Sequence, residues 1–135
     1  MSHSEEILAL ADRFIEVLNN GDADGLRAIY SADARIWHNF SEELQSVDEN
    51  IKTMLWIHRI LDNLEYDIQR REVLPDGFMQ QHVLRGTLAS GEKFAMPACA
   101  ICKVENGRIV ALEEYLDFTH TAPLRAKAEG NTKET

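Results

Sequence analysis

Asn63-Leu64-Glu65-Tyr66-Asp67-Ile68-Gln69 is where the chain changes character. Leu64, Tyr66 and Ile68 alternate with Glu65, Asp67 and Gln69, the pattern of a strand with one face buried and the other in water. Before this stretch apolar residues recur at helical spacing. After it they recur every second residue. Pro75-Asp76-Gly77 and Ala89-Ser90-Gly91 read as turns. Asn106-Gly107 is a strong hairpin signal, because both central positions of a tight hairpin turn require positive φ. These breaks bound further strands over Phe78 to Leu88, Glu92 to Val104 and Arg108 to Phe118. Strands linked by tight turns form an antiparallel meander.

Upstream, Ser2 and Glu5 have capping-box spacing. Ile7, Leu10, Ala11, Phe14, Ile15 and Leu18 then mark one face of a helix that ends at Asn20-Gly21. A short helix over about Asp22 to Tyr30 follows, with Asp22 or Asp24 as its cap. Ser31-Ala32-Asp33 reads as a turn and Arg35 to Phe40 as a short strand. A third helix opens at Ser46, where Glu49 completes a second capping box. Its apolar stripe is Val47, Ile51, Met54, Leu55, His58 and Leu61; Trp56 points away from it, which suggests a partner surface. Helices before a meander must cover one of its faces to bury their stripes. The expected fold is α+β: a curved antiparallel sheet wrapped by three N-terminal helices, enclosing a cone-shaped hollow.

The 135 residues make one domain, expected over 1–125, with a flexible polar tail over 126–135 whose last residues, Lys127 to Thr135, are loosely held. Acidic residues number 23 and basic ones 14, a net charge of −9 that argues against nucleic acid and anionic membranes as partners. No apolar run approaches the ~18 residues of a membrane span. Met1 to Glu6 has no basic region before an apolar one, and there are only two cysteines, so a cytoplasmic chain is expected. Those cysteines, Cys99 and Cys102, are three apart on one strand and so face opposite ways, which argues against metal or redox work. No nucleophile elbow, phosphate-cradling glycine loop or paired-histidine helix is present, and neither cofactor nor metal is expected.

Three marks, in this order, carry a resemblance: Leu18-Asn19-Asn20-Gly21-Asp22; Ala34-Arg35-Ile36-Trp37-His38-Asn39; and Asn106-Gly107-Arg108-Ile109 followed by Glu113-Glu114-Tyr115-Leu116-Asp117. Together the chain resembles the nuclear transport factor 2-like superfamily over about residues 5 to 120. More narrowly, it looks like the SnoaL-like group of polyketide cyclases. The resemblance implies a deep, mostly apolar pocket, often in a homodimer. It implies no single reaction, since ketosteroid isomerases, limonene epoxide hydrolases, scytalone dehydratases and binding-only proteins share the fold.

Leu112, Glu114 and Leu116 share one face of the last strand, so Glu114 is a candidate general base between apolar neighbours; the opposite phase would turn Glu113 inward instead. Its position matches the acidic residue of the epoxide hydrolases' Trp-Arg-Asp-Tyr-Phe-Asp stretch, which there helps to activate a water. Trp37 and Asn39 match those enzymes' Tyr-x-Asn, the amide being able to hold water or a substrate oxygen. His82 would pair with Glu114 if Gln80, His82 and Leu84 face inward. His38, opposite to Trp37 on its strand, is expected to miss the pocket. Trp37, Phe14, Tyr30, Met54, His58 and Met96 are expected to line it. The epoxide hydrolases' Arg and second Asp are missing near Gln81 and Val83. Phe14 and Asn39 stand where the steroid isomerases have Tyr and Asp, so neither mechanism transfers whole.

These readings converge on a pocket for a small, mostly apolar ligand, polycyclic ones included. The chemistry would be a cofactor-free isomerisation, cyclisation, dehydration or hydrolysis by Glu114, with His82 or Asn39 orienting the reacting oxygen. The rival is a binding or assembly protein of the same fold, with no chemistry.

Overall fold

Both long helices open where their capping boxes place them. In the computed structural model, which describes residues 2–126, the Ser2 hydroxyl accepts from the Glu5 amide and the Glu5 carboxylate from the Ser2 amide. Ser46 and Glu49 repeat the exchange. Three α-helices precede the meander, α1 (His3–Asn20), α2 (Ala23–Ile29) and α3 (Val47–Ile60), and a short 3-10 helix, Phe118–Thr121, follows it. Asp22 caps α2 by accepting from the Gly25 amide. The segment from Lys127 to Thr135 lies outside the described residues.

Five strands follow the expected turns: β1 (Tyr30–His38), β2 (Asp62–Leu74), β3 (Gly77–Thr87), β4 (Lys93–Glu105) and β5 (Arg108–Leu116). At the β4–β5 hairpin Asn106 and Gly107 have φ of 52° and 74°, the positive values the dipeptide was read to supply. The sheet order is β1-β5-β4-β3-β2. The last four strands form the antiparallel meander. β1 adds a fifth, parallel to β5, so the sheet is mixed rather than wholly antiparallel. The expected turn at Ser31-Ala32-Asp33 is extended chain inside β1, where the pairing with β5 slips between Tyr30 and Arg35. Pairing between strands so distant in sequence leaves no local signal.

The helices cover one face of the sheet. The larger apolar cluster joins Phe14, Leu26, Tyr30, Ile36, Phe78 and Ile109. Phe14 meets Tyr30 and Phe78 edge-on at 6.1 and 6.4 Å. A smaller cluster joins Ile60, Leu61, Leu84, Phe94, Met96 and Leu124. Trp56 packs against this second cluster, so the ring expected to face a partner is satisfied within the chain.

Candidate functional site

Strand register assembles the site. His38 of β1 pairs with Glu114 of β5, Glu114 with Ala100 of β4, Ala100 with Gln80 of β3, and Gln80 with Arg71 of β2. One row therefore crosses all five strands, on the face beneath the helices. Its central member is an alanine, the smallest side chain in the row. The space above it is a small, partly open cavity of about 60 Å³. Phe14, Leu18 and Leu112 give it apolar wall; Tyr30, Tyr66 and Asn50 add polar groups beside the row. Drug-sized ligands occupy roughly 300–1,000 Å³. The cavity as it stands fits a small molecule or the reacting end of a larger one, and the expected room for a polycycle is not there. Its wall is also more polar than the expected greasy hollow.

Glu114 is the centre of the arrangement. Its side chain keeps 19% of its accessible surface. One carboxylate oxygen lies 3.2 Å from His38 Nε2 and the other 3.7 Å from His82 Nε2. Glu113, the alternative left open by strand phase, is exposed on the outer face. His82 is 4% exposed, its ring packed edge-to-face with Tyr66 at 5.2 Å between ring centres. Burial pushes His82 below its ordinary value of 6.5, and the Glu114 charge opposes this only in part. A neutral imidazole results near pH 7. Burial pushes the Tyr30 and Tyr66 hydroxyls up, so both remain protonated donors. Tyr30 donates to Asn50 Oδ1 at 3.0 Å, and Asn50 Nδ2 donates to Gln45 Oε1 at 3.2 Å, which fixes that wall.

Phe14, Tyr30, His82 and Glu114 come together in the cavity; the other expected members do not. Trp37 is on the opposite face, against Tyr115 at 5.3 Å, because Ala34 and Ile36 take the buried phase of β1. The same phase carries His38 inward, correcting the expectation that it misses the pocket. Apolar Ala34 and Ile36 already held that information. Asn39 is exposed and works as a staple. Its amide donates to the Glu114 carbonyl at 3.0 Å and its Oδ1 accepts from the Leu116 amide at 3.0 Å, tying down the backbone on both sides of Tyr115. His58 Nε2 sits 2.7 Å from the Leu18 carbonyl. Its ring packs so close to Gly21 that a Cβ there would lie 3.2 Å away. It thus adds a second donor to a carbonyl at the end of α1 that also accepts from the Gly21 amide at 3.3 Å. Met54 belongs to the larger cluster and Met96 to the smaller.

A larger concavity of about 470 Å³, lined by Ile7, Leu10, Arg13, Val104 and Asn106, lies away from this site. No buried acid–base cluster converges on it, as one does on the smaller cavity. Among the described residues no group of three or more His, Cys, Asp or Glu side chains is arranged to hold a metal ion. Cys102 is buried in the core, where burial pushes its thiol up, and Cys99 faces the other way.

A curved sheet wrapped on one face by N-terminal helices is the nuclear transport factor 2-like architecture. Residues 11–112 match the model of the SnoaL-like domain, and the chain belongs to that family. No curated protein matches the sequence. Among solved structures it is similar to PrhC from Penicillium brasilianum, at 14% identity and TM-score 0.83 over 97% of this chain and 93% of that one. IdmH of Streptomyces antibioticus, a candidate polyketide cyclase, aligns at 18% identity and TM-score 0.75 over 88% and 97%. An M. tuberculosis LEH-like epoxide hydrolase aligns at 15% identity and TM-score 0.72 over 89% of each chain. Identities this low establish the shared fold alone.

Proposed function

We propose that this protein is an acid–base enzyme acting on a small molecule in this cavity, with Glu114 as the proton-transferring group. The observation that carries the reading is a largely buried carboxylate with an imidazole on each side, facing a small cavity. A positioned carboxylate can take a proton from carbon next to a carbonyl and return it elsewhere, which is isomerisation. It can also take one from water as the water attacks an electrophilic carbon, which is hydrolysis. His38, 3.2 Å away, holds one carboxylate oxygen; neutral His82 stands by the other. The cyclase and epoxide hydrolase names among the structural relatives fit both branches.

Two assays in D₂O separate them: deuterium exchange next to the carbonyl of small cyclic ketones, and hydrolysis of small epoxides. Activity in either that falls at least a hundredfold in Glu114→Gln supports the role. Unchanged turnover in that variant rejects it.

A homodimer is part of the same reading. The outer face of a sheet covered on one side is ordinarily polar. Here it carries Trp37, Val83, Cys99, Ile101 and Tyr115, with Ile101 and Tyr115 at 37% and 43% exposure. A second copy of the chain covering this face would explain its composition. Light scattering should give twice the monomer mass, falling to one mass in Ile101→Asp; a wild-type monomer would dismiss the idea. Two free cysteines suit a reducing, cytoplasmic setting. Among the described residues no helix is long and apolar enough to cross a membrane.

A further inference from the structure

Gln80 is fully buried, and its two amide ends have different fates. Its Oε1 accepts two hydrogen bonds from Arg71, from Nε at 3.0 Å and Nη2 at 2.9 Å. Arg71 is itself held by Asp12 at 2.6 Å and reaches the Ala11 carbonyl at 3.5 Å. A guanidinium only donates, so this clamp decides which end of the amide is oxygen. The other end, Nε2, carries two N–H donors and has no partner among the described residues. Buried donors are paired in the great majority of cases, and an orphan calls for an explanation. Here the orphan belongs to a residue of the cavity wall, in the same cross-sheet row as Glu114. Only Ala100 separates them, so their backbones lie roughly 10 Å apart at two strand spacings. The reach of the two side chains and a small ligand fills that span.

We propose that Gln80, locked by the Asp12–Arg71 pair, is the specificity-determining residue of the cavity: its Nε2 donates to an acceptor oxygen of the ligand, which thereby lies across Ala100 with its reacting atoms toward Glu114. The proposal rests on the acid–base reading for the second half of that orientation and stands without it for the first. It selects ligands that carry a carbonyl or similar acceptor oxygen over hydrocarbons of equal shape. A ligand that fills the cavity without accepting from this buried donor leaves it unpaired and is penalised for it.

The test compares cyclopentanone with methylenecyclopentane, which has the same outline and no acceptor oxygen. Titrations are followed by the side-chain amide signals of Gln80 in ¹⁵N-labelled wild-type protein. The ketone should shift those signals and bind at least tenfold more tightly than the alkene. Gln80→Glu keeps the Arg71 clamp and the volume but replaces the free donor with an acceptor; it should abolish the preference. Glu114→Gln should keep it. Equal binding of the two probes, no movement of the Gln80 signals up to the solubility of the ketone, or an unchanged preference in Gln80→Glu would each overturn the proposal. The wild-type titration decides the matter even if the variant does not fold. Selective binding with neither deuterium exchange nor epoxide hydrolysis would remove the acid–base reading alone; either activity without selectivity would remove this one alone.

Discussion

The two faces of one sheet carry the same residue types to different ends. On the inner face Glu114 lies between two imidazoles, and Arg71 spends its guanidinium on a buried amide. On the outer face Glu113 is exposed, and Arg85 meets Asp67 at 3.0 Å with nearly half of its side chain accessible. Glu113 and Glu114 are adjacent in the chain; Arg71 and Arg85 both sit on the β2–β3 hairpin. What separates each pair is the water around it. A charge that keeps its hydration gains little from a partner. One that loses it depends on neighbours placed by the fold.

The sharpest way to break this contrast is to neutralise the two glutamates in turn. Glu114→Gln should lower turnover by about 10²–10⁴-fold, the usual weight of a positioned acid–base group. Glu113→Gln should leave it within about twofold, since side chains outside the reacting site contribute little. Equal losses in steady-state kinetics would mean that the faces do not differ in function. The same alternation can be read in stability. Ile36 is fully buried on β1, and Ile36→Ala should cost about 2–5 kcal/mol in urea unfolding. Its neighbour Arg35 is exposed, and Arg35→Ala should stay within about 0.5 kcal/mol.

The arginines give a smaller effect. Arg71→Ala leaves the Gln80 oxygen unpaired in the interior and should cost about 1–3 kcal/mol. Arg85→Ala should cost under about 1 kcal/mol. The smallest effect is a slope against pH. Burial lowers the proton affinity of His82 in the folded state. Between that lowered value and 6.5 the unfolded chain binds more protons than the native one, so stability falls as pH falls through this window. Above 6.5 the contribution is fully present. His82→Asn should flatten that part of the curve of unfolding free energy between pH 7.5 and 5; an unaltered slope would assign it to other groups.

Much of the frame was legible along the chain because its causes are local. Capping boxes need residues three apart, and Ser2/Glu5 and Ser46/Glu49 both formed them. The Asn106-Gly107 turn needs only its own backbone. Alternation set Glu113 and Glu114 on opposite faces of β5 and Gln80 and His82 on one face of β3, but left open which face turns inward; the fold turned Glu114, Gln80 and His82 in. β1 was misread: the large ring of Trp37 was given the interior, although Ala34 and Ile36 keep the period of a buried face. Helical position likewise marked His58 as interior, yet a helix end needed its imidazole more than the cavity did.

By itself the sequence determined the helices, the strands of the meander and their turns. Those follow from forces that act over a few residues. Only the tertiary structure decided that β1 lies beside β5, and with it that His38, Glu114, Ala100, Gln80 and Arg71 stand in one row. Strand register is a property of pairs of segments up to dozens of residues apart, fixed by the packing of the whole sheet against its helices. The candidate site of this protein is written in that register.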